Sequence, residues 1–273
     1  MAFYSIGTRL LPLFIIGFSV LTCLPFTALA NEKAKASVQI SFLPSTNEKD
    51  TQAITLIQQS QTIDIIRQLS QSIVQFTPPV EIIFGTEDGP LYDPELHQIH
   101  IPYSFWHHAT ERFTSSMSEQ AHKTSQDTHL IQLSALDTLL HTLLHELGHA
   151  YIEANSIPVL GKEEDAVDSF ATIVLLNFVD NGDAIAISAA DLFALEDEEV
   201  DHFESLDFID EHSLDIQRFY YTLCLVYGSD PESHPQLLDD IEKQFKTEQE
   251  DICIEEFERV STNWLFYLNE PEH

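Results

Sequence analysis

The chain has 273 residues and a formal net charge of −33, with 12 lysines and arginines against 45 aspartates and glutamates. A charge of that sign and size repels nucleic acid and anionic membranes, so it excludes a protein that binds either of them through a basic surface. It favours cationic partners or reflects a salt-rich surrounding.

Residues 1–30 have the pattern of a secretory signal peptide. A single charge precedes an apolar stretch from Leu10 to Leu24, and Ala28-Leu29-Ala30 offers a small-x-small cleavage site. A retained membrane anchor is the alternative, but the stretch is short for a span and is interrupted by Pro12. We therefore expect an exported protein, periplasmic or secreted, with no stable membrane insertion after cleavage.

The segment that follows predicts a small sheet with helices. Three strands are predicted, at 38–43, 80–84 and 97–101, and the first and third of them alternate between apolar and polar residues. Apolar residues at helical spacing predict a long helix over 50–76 and a shorter one over 103–113. Residues 114–128 are polar and predict a loop.

A strongly apolar helix is predicted over about 130–154, where leucines recur at helical spacing. It carries the pentapeptide His145-Glu146-Leu147-Gly148-His149, of the form H-E-x-x-H. Residues four apart lie on one face of a helix, so His145 and His149 can bind one metal ion together. Glu146 lies beside the same ion and can take the proton of an attacking water. The alternative is an amphipathic helix with surface histidines, which the flanking leucines disfavour.

A helix predicted over about 162–180 supplies candidates for a third ligand. Glu164 and Asp168 are four apart and share a face of it. Glu164 completes a set of two histidines and one carboxylate, which suits Zn²⁺ best. Asp168 can accept the free ring N–H of a ligating histidine. The alternative is a solvated acidic helix start, and it is stronger for Glu163 and Asp165 than for these two.

These motifs resemble known families. H-E-x-x-H followed by Glu164, Asp168 and Ala171 is similar to the gluzincin arrangement of thermolysin-like peptidases. The string from His145 to Asp168, with those at 88–94 and 217–231, resembles the bacterial "putative metallopeptidase" family DUF4344. The resemblance covers most of the mature chain. It implies a zincin-like α+β fold, in which a small mixed β-sheet and long helices precede a mainly helical C-terminal part.

The expected organisation is a signal peptide at 1–30, a zincin-like catalytic lobe at 31–182 and a helical lobe at 183–273 that completes the cleft. In zincin-like folds an edge strand beside the metal helix can pair with an extended peptide. The candidate is the strand at 97–101, and a half-buried edge strand without that role is an equally good alternative. The two cysteines of the mature chain, Cys224 and Cys253, predict a disulfide, with two buried thiols as the alternative.

The predicted function is hydrolysis of peptide bonds with zinc as the cofactor. His145, His149 and Glu164 would hold Zn²⁺, Glu146 would be the general base, and Asp168 would orient one of the two histidines.

The reaction also needs a group that stabilises the oxyanion. The candidates lie in the segment 211–221, with His212 first and Tyr220 second, followed by Arg218 and Tyr221. For each of them the alternative is a structural role, as a core aromatic or as the partner of a nearby acid.

Two other functions stay open. The chain could be an exported metal-binding or interaction module with a structural zinc site and no turnover, although such a site needs no general base. It could also be a latent peptidase that needs a partner or an activation step. For a peptidase, the substrates would be peptides or proteins.

Overall fold

The fold is described for residues 37–118, 125–198, 200 and 202–269 in a computed structural model. The signal peptide expected at 1–30 lies outside these residues. The described part contains eight helices and one four-stranded sheet, which confirms the expected α+β class. It belongs to one compact unit, and the division into two lobes at residue 182 stays a prediction.

A small mixed sheet is built from the N-terminal half. Its strands are β1 (Val38–Phe42), β2 (Val80–Phe84), β3 (Leu91–Asp93) and β4 (Gln98–Ile101), in the order β1-β2-β4-β3. β1, β2 and β4 are parallel, and β3 pairs with β4 in the antiparallel sense. The three predicted strands are confirmed, as β1, β2 and β4. β3 has only three residues, too few to produce an alternating pattern.

The edge strand of the sheet differs from the one expected. The strand at 97–101 has no free edge, because β4 is bonded to β2 on one side and to β3 on the other. The expectation that it could pair with a substrate is therefore wrong. β3 takes the edge position and packs against the helix that carries H-E-x-x-H.

The long helix expected over 50–76 is two helices, α1 (Glu48–Gln59) and α2 (Gln61–Ser72). They are separated by Ser60, whose backbone is extended and whose backbone N–H and hydroxyl both donate to the carbonyl of Ile57. The apolar spacing continues across this break, so periodicity alone did not locate it.

Both described parts of the segment 114–128, which was expected to be a loop, are helical. α3 spans Tyr103–Ser118 and α4 begins at Ser125. The hydroxyls of Thr110 and Thr114 donate to backbone carbonyls four residues earlier, so these polar side chains are satisfied within α3. Polarity therefore did not distinguish a loop from a surface helix.

α4 (Ser125–Ala154) is the central element of the fold. It packs against α2, α3 and β3, and also against two later helices, α5 (Glu163–Phe178) and α6 (Gly182–Asp197). The leucines of its motif region are almost completely buried, namely Leu139, Leu140, Leu143, Leu144 and Leu147. The motif helix is thus fixed by packing on several sides, which gives its polar side chains a defined position.

The C-terminal part is helical, as expected. α7 spans Asp215–Ser229 and α8 spans Lys243–Asn269. No helix in the described part of the chain is both long and apolar enough to cross a membrane.

The expected disulfide is formed between Cys224 on α7 and Cys253 on α8. The two helices approach closely here because Gly228 has no side chain: an added Cβ would lie 2.2 Å from the carbonyl oxygen of Cys253. The disulfide therefore crosslinks a tight helix pair at the end of the chain.

Reducing this disulfide should lower the free energy of unfolding. The bonded cysteines are 29 positions apart, and closing a loop of that length removes about 3–4 kcal/mol of chain entropy from the unfolded state. Urea unfolding with and without reductant measures the loss. The variant Cys224→Ala/Cys253→Ala should be insensitive to reductant, and a wild-type stability that reductant leaves unchanged would contradict the prediction.

Asp137, two turns before the motif on α4, makes stability depend on pH. Burial raises its pKa to about 6, and the hydrogen bond from the Ser188 hydroxyl at 3.1 Å opposes the rise only in part. Because the folded state holds the proton more tightly than the unfolded one, the associated stability is present below pH 4 and is lost as the pH rises through about 6.

Asp137→Asn should therefore stabilise the protein at pH 7.5, by on the order of 1 kcal/mol after allowance for partial solvent screening. At pH 3, below the ordinary aspartate pKa of 3.8, the side chain is largely protonated in both states, so the variant should match the wild type. Urea unfolding of metal-free protein at the two pH values tests this. A stability difference of the same size at both values would rule out the titration of Asp137 as its origin.

Candidate metal centre

The three predicted metal ligands come together in the structure. His145, His149 and Glu164 each offer one ligand atom, and these atoms all lie within 4.8 Å of one another. The Glu164 Oε2 atom is 3.0 Å from His145 Nε2 and 3.4 Å from His149 Nε2. Ligand atoms around a tetrahedral zinc ion are roughly 3.3 Å apart for the usual bond lengths. The donor set could therefore hold a metal ion.

Glu164 reaches the histidines because α5 lies close against α4 at Gly148. A Cβ atom added there would be 3.0 Å from side-chain atoms of both Val167 and Phe170. Glu164 lies in the first turn of α5, one turn before this contact. The glycine inside the motif thus allows the approach that places the third donor beside the first two.

Asp168 lies behind His145. Its Oδ1 atom is 2.7 Å from His145 Nδ1, and both side chains are buried. A proton on Nδ1 that is donated to Asp168 leaves the lone pair of Nε2 free for a metal ion. Asp168 is therefore placed to orient His145 rather than His149, a choice that the sequence left open.

Arg218 on α7 holds Asp168 in place. Its Nε donates to Asp168 Oδ2 at 2.7 Å and its Nη2 donates to Oδ1 at 3.0 Å, while the guanidinium lies 3.9 Å from the ring centre of Phe193. Burial acts to raise the pKa of Asp168, but the charge of Arg218 and the hydrogen bond from His145 hold it well below its usual range. Asp168 is thus a carboxylate anion at the back of the site.

Glu163 has the corresponding position behind His149. Its Oε1 atom is 2.9 Å from His149 Nδ1. The sequence favoured a solvated helix start for Glu163, and its side chain is indeed 48% exposed. Only the contact between α4 and α5 reveals the second carboxylate–histidine pair.

His212 is the one oxyanion candidate that lies at the site. Its Nε2 atom is 3.0 Å from Glu164 Oε2, and its ring is nearly parallel to that of His145, with centres 6.3 Å apart. Its backbone carbonyl accepts a hydrogen bond from Lys162 Nζ at 2.7 Å. His212 therefore lies beside the three candidate ligands and lines the same cleft.

The other candidates of the segment 211–221 lie elsewhere. Tyr220 is 42% exposed, contacts Phe219 edge to face and does not line the cleft that contains the histidines. The Tyr221 hydroxyl donates to Glu256 at 3.0 Å, and Arg218 is engaged with Asp168. The sequence placed these side chains on one helix but could not say which face points to the site.

The candidate ligands interact with one another through hydrogen bonds, and these bonds shift their pKa values. Burial lowers the pKa of His145, but hydrogen bonds to Asp168 and Glu164 outweigh this and raise it to about 9. Burial acts to raise the pKa of Glu164, but hydrogen bonds from His145, His149 and His212 bring it far below its usual range. Glu164 and Asp168 are thus carboxylate anions, and the negative charge that keeps a proton on His145 would also attract a metal cation.

Glu146 is 5% exposed and lines the same cleft. Burial raises the pKa of its carboxyl, and the nearby charges of His145 and His149 oppose that rise. None of the hydrogen bonds found among the described residues involves this carboxylate. A buried carboxylate that points into a cleft beside a metal-binding set has the environment of a general base.

The cleft has a volume of about 790 Å³. Its walls are β3 with the flanking prolines Pro90 and Pro94, the motif turns of α4, the first turn of α5 and the segment before α7. The string at 88–94, which carried part of the family resemblance, thus forms one wall of the site.

Comparison with known proteins identifies the family. A sequence model of DUF4344, described as "Putative metallopeptidase", matches residues 42–268. Neither the curated proteins nor the solved structures include a match to the chain. The matched range covers β2, β3 and β4 completely but only the last residue of β1, and it includes the three candidate ligands and both cysteines. The chain belongs to the DUF4344 family of "putative metallopeptidases".

Proposed function

We propose that this protein is an exported, zinc-dependent peptidase of the gluzincin type. The observation that carries the proposal is the buried carboxylate of Glu146, which lines the cleft beside the donor set of His145, His149 and Glu164 and has no protein partner among the described residues. A site that held zinc for structure alone would need no such base.

Zinc is the ion that the donors fit best. Two imidazole nitrogens and one carboxylate oxygen are typical of catalytic zinc sites, which keep a fourth position open. When bound, zinc lowers the pKa of a coordinated water towards about 7 and polarises a substrate carbonyl.

The protein's own groups then carry the proton. Glu146 accepts a proton from the attacking water and passes it to the leaving amine as the C–N bond breaks, so that an acid and an amine are released. The imidazole of His212 donates a hydrogen bond to the oxyanion that forms on the former carbonyl oxygen. Asp168 and Glu163 hold His145 and His149 in the tautomers that turn Nε2 towards the cleft.

The peptide would lie along β3. Leu91 and Tyr92 line the cleft, and β3 has backbone groups free for pairing because it is bonded only to β4. An extended peptide added to this edge would place its carbonyl groups over the motif helix. This assigns to β3 the role that the sequence had assigned to 97–101.

Export is supported by the pattern of residues 1–30 and by the disulfide between Cys224 and Cys253, a bond that persists in oxidising compartments.

The test combines metal content with turnover. Mature protein loaded with zinc should contain one zinc ion per chain and should cleave an unstructured protein such as casein, and a chelator should abolish cleavage until zinc is restored. Stoichiometric zinc with intact casein, also in extracts that could supply an activator, would instead favour the structural metal module.

A further inference from the structure

The walls of the cleft are negatively charged beyond what the proposed chemistry uses. Besides Glu146 and Glu164, the described residues that line it include three carboxylates, Glu153, Glu163 and Glu211. Lys162 is the one lysine or arginine among the same lining residues, and its ammonium is bound to the carbonyl of His212. An incoming peptide therefore meets an excess of negative charge.

The negative lining continues on the other side of His212. A neighbouring cavity of about 370 Å³ shares His212 with the cleft and is lined by four aspartates, Asp197, Asp207, Asp210 and Asp215. Its single arginine, Arg218, is bound to Asp168 and Asp215. One carboxylate oxygen of Asp197 is buried there with no hydrogen-bond partner. The excess of acidic side chains thus continues from the cleft, past His212, into the neighbouring cavity.

These acids do not form a second compact metal site. Among the described residues, the one group of three donors found to be arranged for a metal ion is His145, His149 and Glu164. Carboxylates spread along a cleft suit the cationic side chains of a bound peptide, namely the ammonium of lysine or the guanidinium of arginine.

Two carboxylates are available for such a cation. Glu211 is exposed and takes part in none of the hydrogen bonds or ion pairs of the described residues. Glu153 accepts a hydrogen bond from the Tyr92 hydroxyl at 2.5 Å on Oε2, which leaves Oε1 free. Glu163 is already engaged with His149. The apolar surfaces of Leu91 and Ile152 in the same cleft would cover the alkyl stem of a lysine or arginine.

We propose that the cleft selects peptides with lysine or arginine side chains close to the scissile bond, and that Glu153 and Glu211 are the residues that attract them. The inference rests on the proposed function and names its substrate class. The net charge of −33 acts in the same direction, because it repels acidic peptides from the whole surface.

Binding of labelled peptides tests the selection without turnover. Zinc-loaded Glu146→Gln protein is titrated with three fluorescein-labelled peptides that share one sequence except for four positions, occupied by lysine, glutamine or glutamate. We expect fluorescence anisotropy to give at least about tenfold tighter binding for the lysine peptide than for the glutamine peptide, and the weakest binding for the glutamate peptide. The preference should shrink in 0.5 M salt.

A matched pair of variants separates the cleft from the overall charge. Glu153→Gln/Glu211→Gln should lower the ratio of lysine to glutamine affinities by about fivefold or more. Glu255→Gln/Glu258→Gln removes the same charge from exposed positions of α8 that line neither cavity, and should leave the ratio unchanged. Equal ratios for all proteins, or an equal drop in both double variants, would overturn the proposal. Circular dichroism checks that each variant is folded.

Turnover by the wild type then distinguishes the two proposals. If the peptides are cleaved at equal rates whatever their charge, the proposed preference for lysine and arginine is wrong, but the proposed peptidase activity is confirmed. If the lysine peptide binds preferentially through Glu153 and Glu211 but no peptide is cleaved by zinc-loaded wild type, the peptidase fails and the cleft is a binding site for cationic chains.

Discussion

Replacing Glu146 by glutamine is expected to lower peptide hydrolysis by a factor of about 10²–10⁴, the usual contribution of a general base. Glutamine has nearly the same shape as glutamate but cannot accept the proton of the attacking water. The side chain is buried and makes no hydrogen bond among the described residues, so the exchange breaks no observed contact. Zinc content should stay at one per chain, because Glu146 is not among the three candidate ligands.

The measurement is kcat on a fluorogenic peptide together with zinc content after dialysis. Glu255→Gln, on the exposed side of α8, makes the same chemical change away from the cleft and should keep the wild-type rate. Retention of more than a tenth of the activity by Glu146→Gln would remove Glu146 from the mechanism. A loss of both kcat and zinc content would mean that Glu146 is needed to bind the metal or to keep the protein folded.

The core of the site could be predicted from the sequence because it depends on spacing within single helices. The separation of His145 and His149, and that of Glu164 and Asp168, fixes which side chains share a face whatever the rest of the chain does. The leucines around the motif predicted the burial that holds the face in place. Only the packing of α5 against α4 had to be assumed.

What the sequence could not give depends on contacts between elements. Glu163 became a partner of His149 because α5 packs on α4, and Arg218 became a partner of Asp168 because α7 packs on α5. Neither contact leaves a periodic signal. Arg218 does lie in a segment that carried the family resemblance, but that resemblance gave it no specific role.

The sheet illustrates the same limit. Alternation located β4 correctly but could not reveal that β3 covers its outer edge, since strand order is a property of pairing and not of a single segment. The edge matters for function, because it determines which backbone groups are open to a peptide. For this reason the substrate-pairing role is proposed for β3 and not for β4.

Three consecutive carboxylates at the start of α5 should differ sharply in their effect on zinc affinity. Glu164→Gln removes a candidate ligand, so we expect an affinity loss greater than the 10–100-fold typical of outer partners. Glu163→Gln weakens the partner of His149 Nδ1, so a loss within that 10–100-fold range is expected. Asp165→Asn should have little effect, because Asp165 lines a different cavity beside α8.

Each substitution removes one negative charge from the same helix turn, so helix-dipole effects are similar in the three variants and the differences report geometry. Competition with a chelator of known affinity at fixed pH gives the three constants, and unfolding of the metal-free proteins checks that the fold is intact. Equal losses of zinc affinity in all three variants would mean that the affinity depends only on the total charge of this helix turn. A loss for Asp165→Asn as large as that for Glu164→Gln would show that the carboxylate closing the site has been misassigned.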